Sequence, residues 1–131
     1  MSQQDVQTVR EGYEAFNRQD IPRVLQNFDP QIEWNEPGGG RAAKGVFQGA
    51  QAVVDKVFSL VPENFDDFSV DPEQFIDSGE HVVAVGRFRG RAKNGTVLDA
   101  PFVHVWKMRN GKAVNFYHHV EASAWTKAWG G

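Results

Sequence analysis

Apolar residues near the start of the chain recur at helical steps. Val6, Val9, Tyr13 and Phe16 fall three or four apart, which lines one face of a helix predicted from Ser2 to Arg18, with Ser2 available as a cap and Asp5 in the first turn. Asp20, Ile21 and Pro22 read as a cap followed by proline in a first turn, and Val24, Leu25 and Phe28 give a short second helix its stripe. The period then changes. In Q-I-E-W-N-E-P-G-G-G, from Gln31 to Gly40, Ile32, Trp34 and Glu36 share one side of an extended segment, while Glu33 and Asn35 face the other way. Pro37 and the glycines after it end that strand, predicted over Ile32 to Asn35, beside Glu36. A loop holding Gly38, Gly39, Gly40, Gly45 and Gly49 follows. Helical spacing returns from Ala50 to Val61, with Val53, Val54, Val57, Phe58 and Val61 inward and a stop before Pro62.

Beyond Phe65 the period is two. Runs at Phe68 to Asp77, His81 to Ala92, Thr96 to Arg109 and Lys112 to Val120 suggest an antiparallel meander, with Asn94-Gly95 and Asn110-Gly111 as turns and Pro72 marking a bulge or edge. The tail from Glu121 to Trp129 is long enough for a last helical turn or two, with Trp125 and Trp129 on one side. Helices first and strands after is an α+β order: three N-terminal helices and a mainly antiparallel sheet.

Register decides which residues share a pocket. If Asn110-Gly111 is a two-residue turn, both faces of the last hairpin are mixed. If Gly111 takes a left-handed bulge position, Phe102, His104, Trp106 and Met108 share a face with Val114, Phe116, His118 and Val120, opposite Asn115, Tyr117, His119 and Glu121. The second register separates apolar from polar and is adopted. The same treatment of Asn94-Gly95 sets Ala84, Gly86 and Phe88 beside His104, Phe102 and Ala100, and Arg89 across from Asp99 as an ion pair. The outer face then carries Val83, Val85, Val103 and Val105, a patch expected to bury itself in a homodimer.

Composition narrows the function classes. One domain, 1–131, is expected for 131 residues. A charged fraction of 24% and a net charge of -3 give no reason to expect nucleic acid or an anionic membrane as partner. The absence of cysteine removes disulfides, thiolate nucleophiles and zinc-thiolate sites. No run approaches the roughly 18 apolar residues of a membrane span, and the start M-S-Q-Q-D-V-Q is unlike a signal peptide, so a cytoplasmic protein is expected. Ten Phe and four Trp point to an aromatic-lined interior, either core or pocket.

Y-E-A-F-N-R-Q-D at Tyr13 to Asp20, I-E-W-N-E-P at Ile32 to Pro37, G-R-F-R-G-R-A at Gly86 to Ala92, and D-A-P-F-V-H-V-W at Asp99 to Trp106 with the following R-N-G-K carry a family resemblance. Together they resemble the SnoaL-like branch of the nuclear transport factor 2-like (cystatin-like) superfamily, which includes polyketide cyclases and ketosteroid isomerase-related proteins. The resemblance spans nearly the whole chain. It implies a cone-shaped α+β barrel in which a strongly curved sheet wraps a long helix and leaves a ligand pocket at its open end. It also implies that Glu36 stands where ketosteroid isomerases have the aspartate that shuttles the proton, and His104 where they hold a protonated aspartate as oxyanion donor. Their oxyanion tyrosine falls at Gly12, with Tyr13 one step on and about 100° around the helix.

Candidate chemistry follows. Burial beside Trp34 would suit Glu36 to act as a general base, against the plainer role of capping the amides of Gly38 to Gly40. A neutral His104 could donate to an enolate oxygen, against a satisfied core histidine; His118 is the third candidate. Glu36, His104 and His118 lack metal-ligand spacing, and the glycines lack a following G-K-[ST], so neither metal nor cofactor is expected. Tyr13, Trp34, Phe102, Trp106 and Phe116 would line a pocket for a flat, apolar, oxygenated ligand. The reading is a possible cofactor-independent isomerase or cyclase acting on a hydrophobic carbonyl compound, with a non-catalytic ligand-binding or dimerisation module as the alternative.

Overall fold

The computed structural model describes residues 2–131, without the side chain of Ser2, so the expected Ser2 cap lies outside what is described. Helix α1 covers Ser2–Asn17 and α2 covers Ile21–Leu25. The Asp20 side chain accepts from the Arg23 amide at 3.2 Å, which supplies the cap that the sequence predicts. Strand β1 (Phe28–Pro37) and strand β2 (Lys44–Gln48) follow. Helix α3 (Ala50–Val53) runs into a π turn (Val54–Phe58) and then α4 (Leu60–Asn64). Strands β3 (Phe65–Ser78), β4 (His81–Ala92), β5 (Val97–Arg109) and β6 (Lys112–Val120) form the meander, and α5 (Ala122–Trp129) closes the chain.

The six strands lie in one curved sheet in the order β2-β1-β6-β5-β4-β3. Only the β1–β6 pair is parallel. This is the cone-shaped α+β barrel expected from the sequence: the N-terminal helices pack into the sheet's inner face, where Val9 and Tyr13 of α1 are buried with Ala84, Phe88, Phe102, Trp106 and Phe116. Among the described residues no helix is long and apolar enough to cross a membrane.

Four local expectations change. The strand around Trp34 begins at Phe28 and includes Pro37, because tertiary pairing with β2 and β6 on its two sides outweighs the local breakers. Strand β2 was not expected, since only Phe47 of its five residues is even half-buried and no alternation marks it. The helix from Ala50 does not stop before Pro62; Pro62 sits in the first turn of α4, where its missing N–H is not needed. The break falls earlier, at the π turn, where the Ser59 amide reaches back to Val54 at 3.1 Å.

The fourth correction concerns the last hairpin. Arg109 pairs with Lys112, and both Asn110 (φ 53) and Gly111 (φ 76) are left-handed, so the turn is a two-residue type I′. The extra residue lies further along, where Lys107 pairs with Asn115 but Met108 with Ala113, leaving Val114 as the bulge. From Trp106↔Phe116 through His104↔His118 to Phe102↔Val120, the register is the one adopted from the sequence, although the bulge that sets it lies in β6 rather than at Gly111. Across the other hairpin, Ala84↔His104, Gly86↔Phe102 and Phe88↔Ala100 hold as expected. Arg89 does face Asp99, but the shorter ion pair runs diagonally from Arg87 at 2.6 Å, while Arg89 sits 3.2 Å from Asp71 and 4.0 Å from Asp99.

Candidate active site

A cavity whose empty space, counted together with the solvent at its mouth, is about 730 Å³ lies between the helices and the inner face of the sheet. Its walls are almost wholly aromatic and aliphatic, and no Lys or Arg lines it. The polar exceptions are Tyr13 from α1, Glu36 from β1, His104 from β5 and His118 from β6, besides the indole N–H groups of Trp34, Trp106, Trp125 and Trp129. Strand alternation delivers them: Trp34 and Glu36 are two apart on β1, and His104 and His118 face each other as a cross-strand pair, with ring centroids 4.8 Å apart.

Glu36 is not a loop cap. One carboxylate oxygen, Oε2, accepts from Trp34 Nε1 at 2.6 Å, and the other, Oε1, lies 2.8 Å from His118 Nδ1. Both side chains are buried, at 7% and 3% exposed, which shields their contact from water.

His104 is held by a chain of hydrogen bonds whose direction is fixed by chemistry. Trp106 Nε1 can only donate, and it donates to Tyr13 Oη at 2.9 Å. Among the described residues the Tyr13 hydroxyl has no other acceptor, so its hydrogen goes to His104 Nδ1 at 2.7 Å and that nitrogen accepts. Burial holds the Tyr13 phenol far above its ordinary range, so it keeps its proton; the Trp106 bond opposes this only in part. Burial, and secondarily the nearby charges of His118 and His119, push His104 well below the usual histidine value. A neutral imidazole accepting at Nδ1 must carry its hydrogen on Nε2. Among the described residues that Nε2 has no partner, and neither does His118 Nε2.

Glu36, His104, His118, Tyr13, Trp34, Trp106 and Phe116 thus share one cavity. Phe102 does not line it. Its ring stacks on His104 at 4.0 Å and meets Phe88 at a tilt at 4.8 Å, it is only 1% exposed, and its part is to support the imidazole. Tyr13, read from its offset as a lining residue, holds His104 instead of facing a ligand alone. The sequence reading missed Phe88, Phe58, Trp125 and Trp129 as wall residues. The same-side spacing of the two tail tryptophans was visible, but nothing local says where that helix docks. Among the described residues no three of His, Asp and Glu gather in a group that could hold a metal ion.

The model of the SnoaL-like domain matches residues 9–116. The chain belongs to the SnoaL-like family. Among solved structures, this SnoaL-like protein is similar to a nuclear transport factor 2-like protein of unknown function from Burkholderia pseudomallei, with 36% identity over 96% of this chain and 97% of that one, and a TM-score of 0.89. It is similar to TerC co-crystallised with polyporic acid, at 26% identity over 95% and 97% of the two chains and a TM-score of 0.87. A SnoaL-like protein from a Jannaschia species shares the fold, with a TM-score of 0.81 over 98% of this chain and 92% of that one at 16% identity. No curated protein sequence matches the chain.

Proposed function

We propose that this SnoaL-like protein is an acid–base enzyme that moves a proton next to the carbonyl of a hydrophobic small molecule, as an isomerase or cyclase does. The observation that carries this reading is the pair of buried, unpartnered Nε2 atoms of His104 and His118 in one apolar cavity. They are chemically complementary. His104 Nε2–H donates to the substrate's carbonyl oxygen and to the enolate that forms from it, in a site with little water to compete. With its Nδ1–H on Glu36, His118 presents a lone pair at Nε2 and takes the proton from the adjacent carbon. Glu36 orients that imidazole and stabilises the imidazolium, as the carboxylate does in a catalytic triad. Because both its oxygens already have partners, the base expected at Glu36 is placed one residue further along the relay, at His118. Return of the proton at another carbon completes an isomerisation, and attack of the enolate carbon on a second carbonyl, whose oxygen then takes the proton back from His118, completes a cyclisation.

Solvent-deuterium exchange into a library of aryl ketones and 1,3-diketones tests this, with polyporic acid added as a binding probe because a 26% identical relative was crystallised with it. The native protein catalyses exchange in at least one compound, and His118→Gln and Glu36→Gln lower the rate by about 10²- to 10⁴-fold, the range for loss of general acid–base catalysis. Unchanged exchange in His118→Gln removes the proposed base. Ligand binding with no exchange favours a non-catalytic binding module. We further propose a homodimer through the outer face of the sheet, where Val83 pairs with Val105 and Val85 with Val103 beside exposed Ile76 and Tyr117.

A further inference from the structure

Four indole N–H groups are present in this chain, and three of them have acceptors: Trp34 donates to Glu36, Trp106 to Tyr13 and Trp125 to the Gly38 carbonyl at 3.1 Å. Trp129 is the exception. Its side chain is buried, with only 4% of the residue exposed, and Nε1 has no partner. Trp129 lines the same cavity as the two histidines, whose Nε2 atoms are the other buried side-chain nitrogens without a partner among the described residues. Among the described residues, each residue with a buried side-chain nitrogen or oxygen left without a partner therefore lines this one, mostly apolar cavity.

We propose that Trp129 is a ligand-recognition residue, donating its indole N–H to an oxygen that the ligand carries at the end away from the histidine pair. The ligand is then a flat apolar body with an oxygen function at each end. This rests on the reading of His104 and His118 as the polar end of the site. Trp125 touches both ends, its ring centroid 5.0 Å from that of His118 and 5.5 Å from that of Trp129. Trp125 cannot serve in its neighbour's place, because its own N–H is held by Gly38.

The chemistry of the acceptor is constrained. An indole N–H donates and cannot accept, so the ligand atom is an acceptor. With no Lys or Arg in the wall, a carboxylate at that end would be a buried charge without a counter-ion, and a neutral carbonyl or hydroxyl oxygen fits better. The donor is also held in place. Glu121 caps the start of α5 through the Ser123 and Ala124 amides, Asn94 Nδ2 donates to the Ala128 carbonyl at 3.2 Å, and the Gly130 amide closes on Thr126 at 2.9 Å.

Two probes differing only at the far end test the assignment: biphenyl-4-ol, with one oxygen, and 4-acetyl-4′-hydroxybiphenyl, with an added carbonyl. Calorimetry is run on the native protein, Trp129→Phe and His118→Gln. The acetyl compound binds the native protein about 10-fold tighter, the size of one added hydrogen bond. Trp129→Phe abolishes that ratio while leaving biphenyl-4-ol little changed, and His118→Gln weakens both probes and keeps the ratio. A ratio that survives Trp129→Phe, equal binding of the probes by the native protein, or no binding of either overturns the proposal. A ratio that depends on Trp129 together with no effect of His118→Gln sinks the histidine reading instead. The measurement on native ¹⁵N-labelled protein does not depend on the variant's folding: the Trp129 indole proton shifts downfield with the acetyl compound only, and an unmoved resonance leaves Trp129 as packing, its N–H set against a neighbouring ring.

Discussion

Tyr13 accepts from Trp106 and donates to His104, so one hydroxyl decides which nitrogen of His104 holds the hydrogen. Tyr13→Phe deletes both bonds while keeping the ring. It leaves the Trp106 N–H and His104 Nδ1 buried without partners, which costs about 1–3 kcal/mol of stability for an unsatisfied buried group, measurable by urea unfolding. ¹⁵N spectra of the His104 ring should also show loss of the single Nε2–H tautomer; an unaltered tautomer would mean that Tyr13 does not set it. A pH dependence follows from the burial of His104. In the folded chain its proton affinity lies well below the ordinary value of 6.5, so between that lowered pKa and 6.5 the unfolded chain binds the extra proton. The stability that His104 contributes is therefore complete above 6.5 and falls with decreasing pH, at a limiting slope of about 1.4 kcal/mol per pH unit for one proton. Unfolding titrations from pH 7 to 5 should show a shallower loss in His104→Gln than in the native protein. Equal slopes would mean that the folded protein protonates His104 freely.

At the scale of elements, the sheet can curve around α1 only where side chains do not obstruct β3. Gly86 and Gly90 of β4 fall opposite Pro72 and Phe68, and a Cβ at either would run into the backbone of β3, at the Asp71 and Asp67 carbonyls respectively. The Pro72-to-Gln74 bulge lies at the first of these close approaches. Gly86→Ala should lose about 1–3 kcal/mol by overpacking, read from the urea midpoint, whereas Gly95→Ala meets no neighbouring atom and strains only the positive-φ turn. An unchanged midpoint in Gly86→Ala would mean that β3 can move away without cost. Element type was largely legible from periodicity: α1 shows a clean period of 3.6 and β4 and β5 a period of two, while α2 ends at Leu25 and Phe28 of its expected stripe lies in β1. Strand β2 and the parallel β1–β6 contact were not, because an edge strand with little burial has no pattern, and a parallel pairing joins segments far apart in the chain.

At the scale of the molecule, the outer sheet face leaves Val103 at 38%, Tyr117 at 40% and Ile76 at 43% exposed in a single chain, a patch that a partner would cover at roughly 25 cal/mol per Å². Val103→Lys should convert a native dimer to monomer in sedimentation velocity without altering the cavity, since Val103 and its cross-strand partners Val85 and His119 lie on the face opposite His104. A native monomer at high micromolar concentration would remove the dimer.

The sequence by itself determined the α+β order, the inward set of Glu36, His104, His118, Trp34, Trp106 and Phe116, and the register across β4 and β5 and of β6 from Phe116 onward, since alternation is a local property read within one or two strands, while the turn and bulge of the last hairpin were not legible. Only the tertiary structure decided that Glu36 pairs with His118 and not His104, that Tyr13 reaches His104 over 91 residues of chain, that Phe102 stacks on the imidazole, and that Trp129 meets the same cavity. Those contacts depend on how far the sheet curves and where two helices dock on it. Both are set by packing between segments remote in sequence, which no local period records.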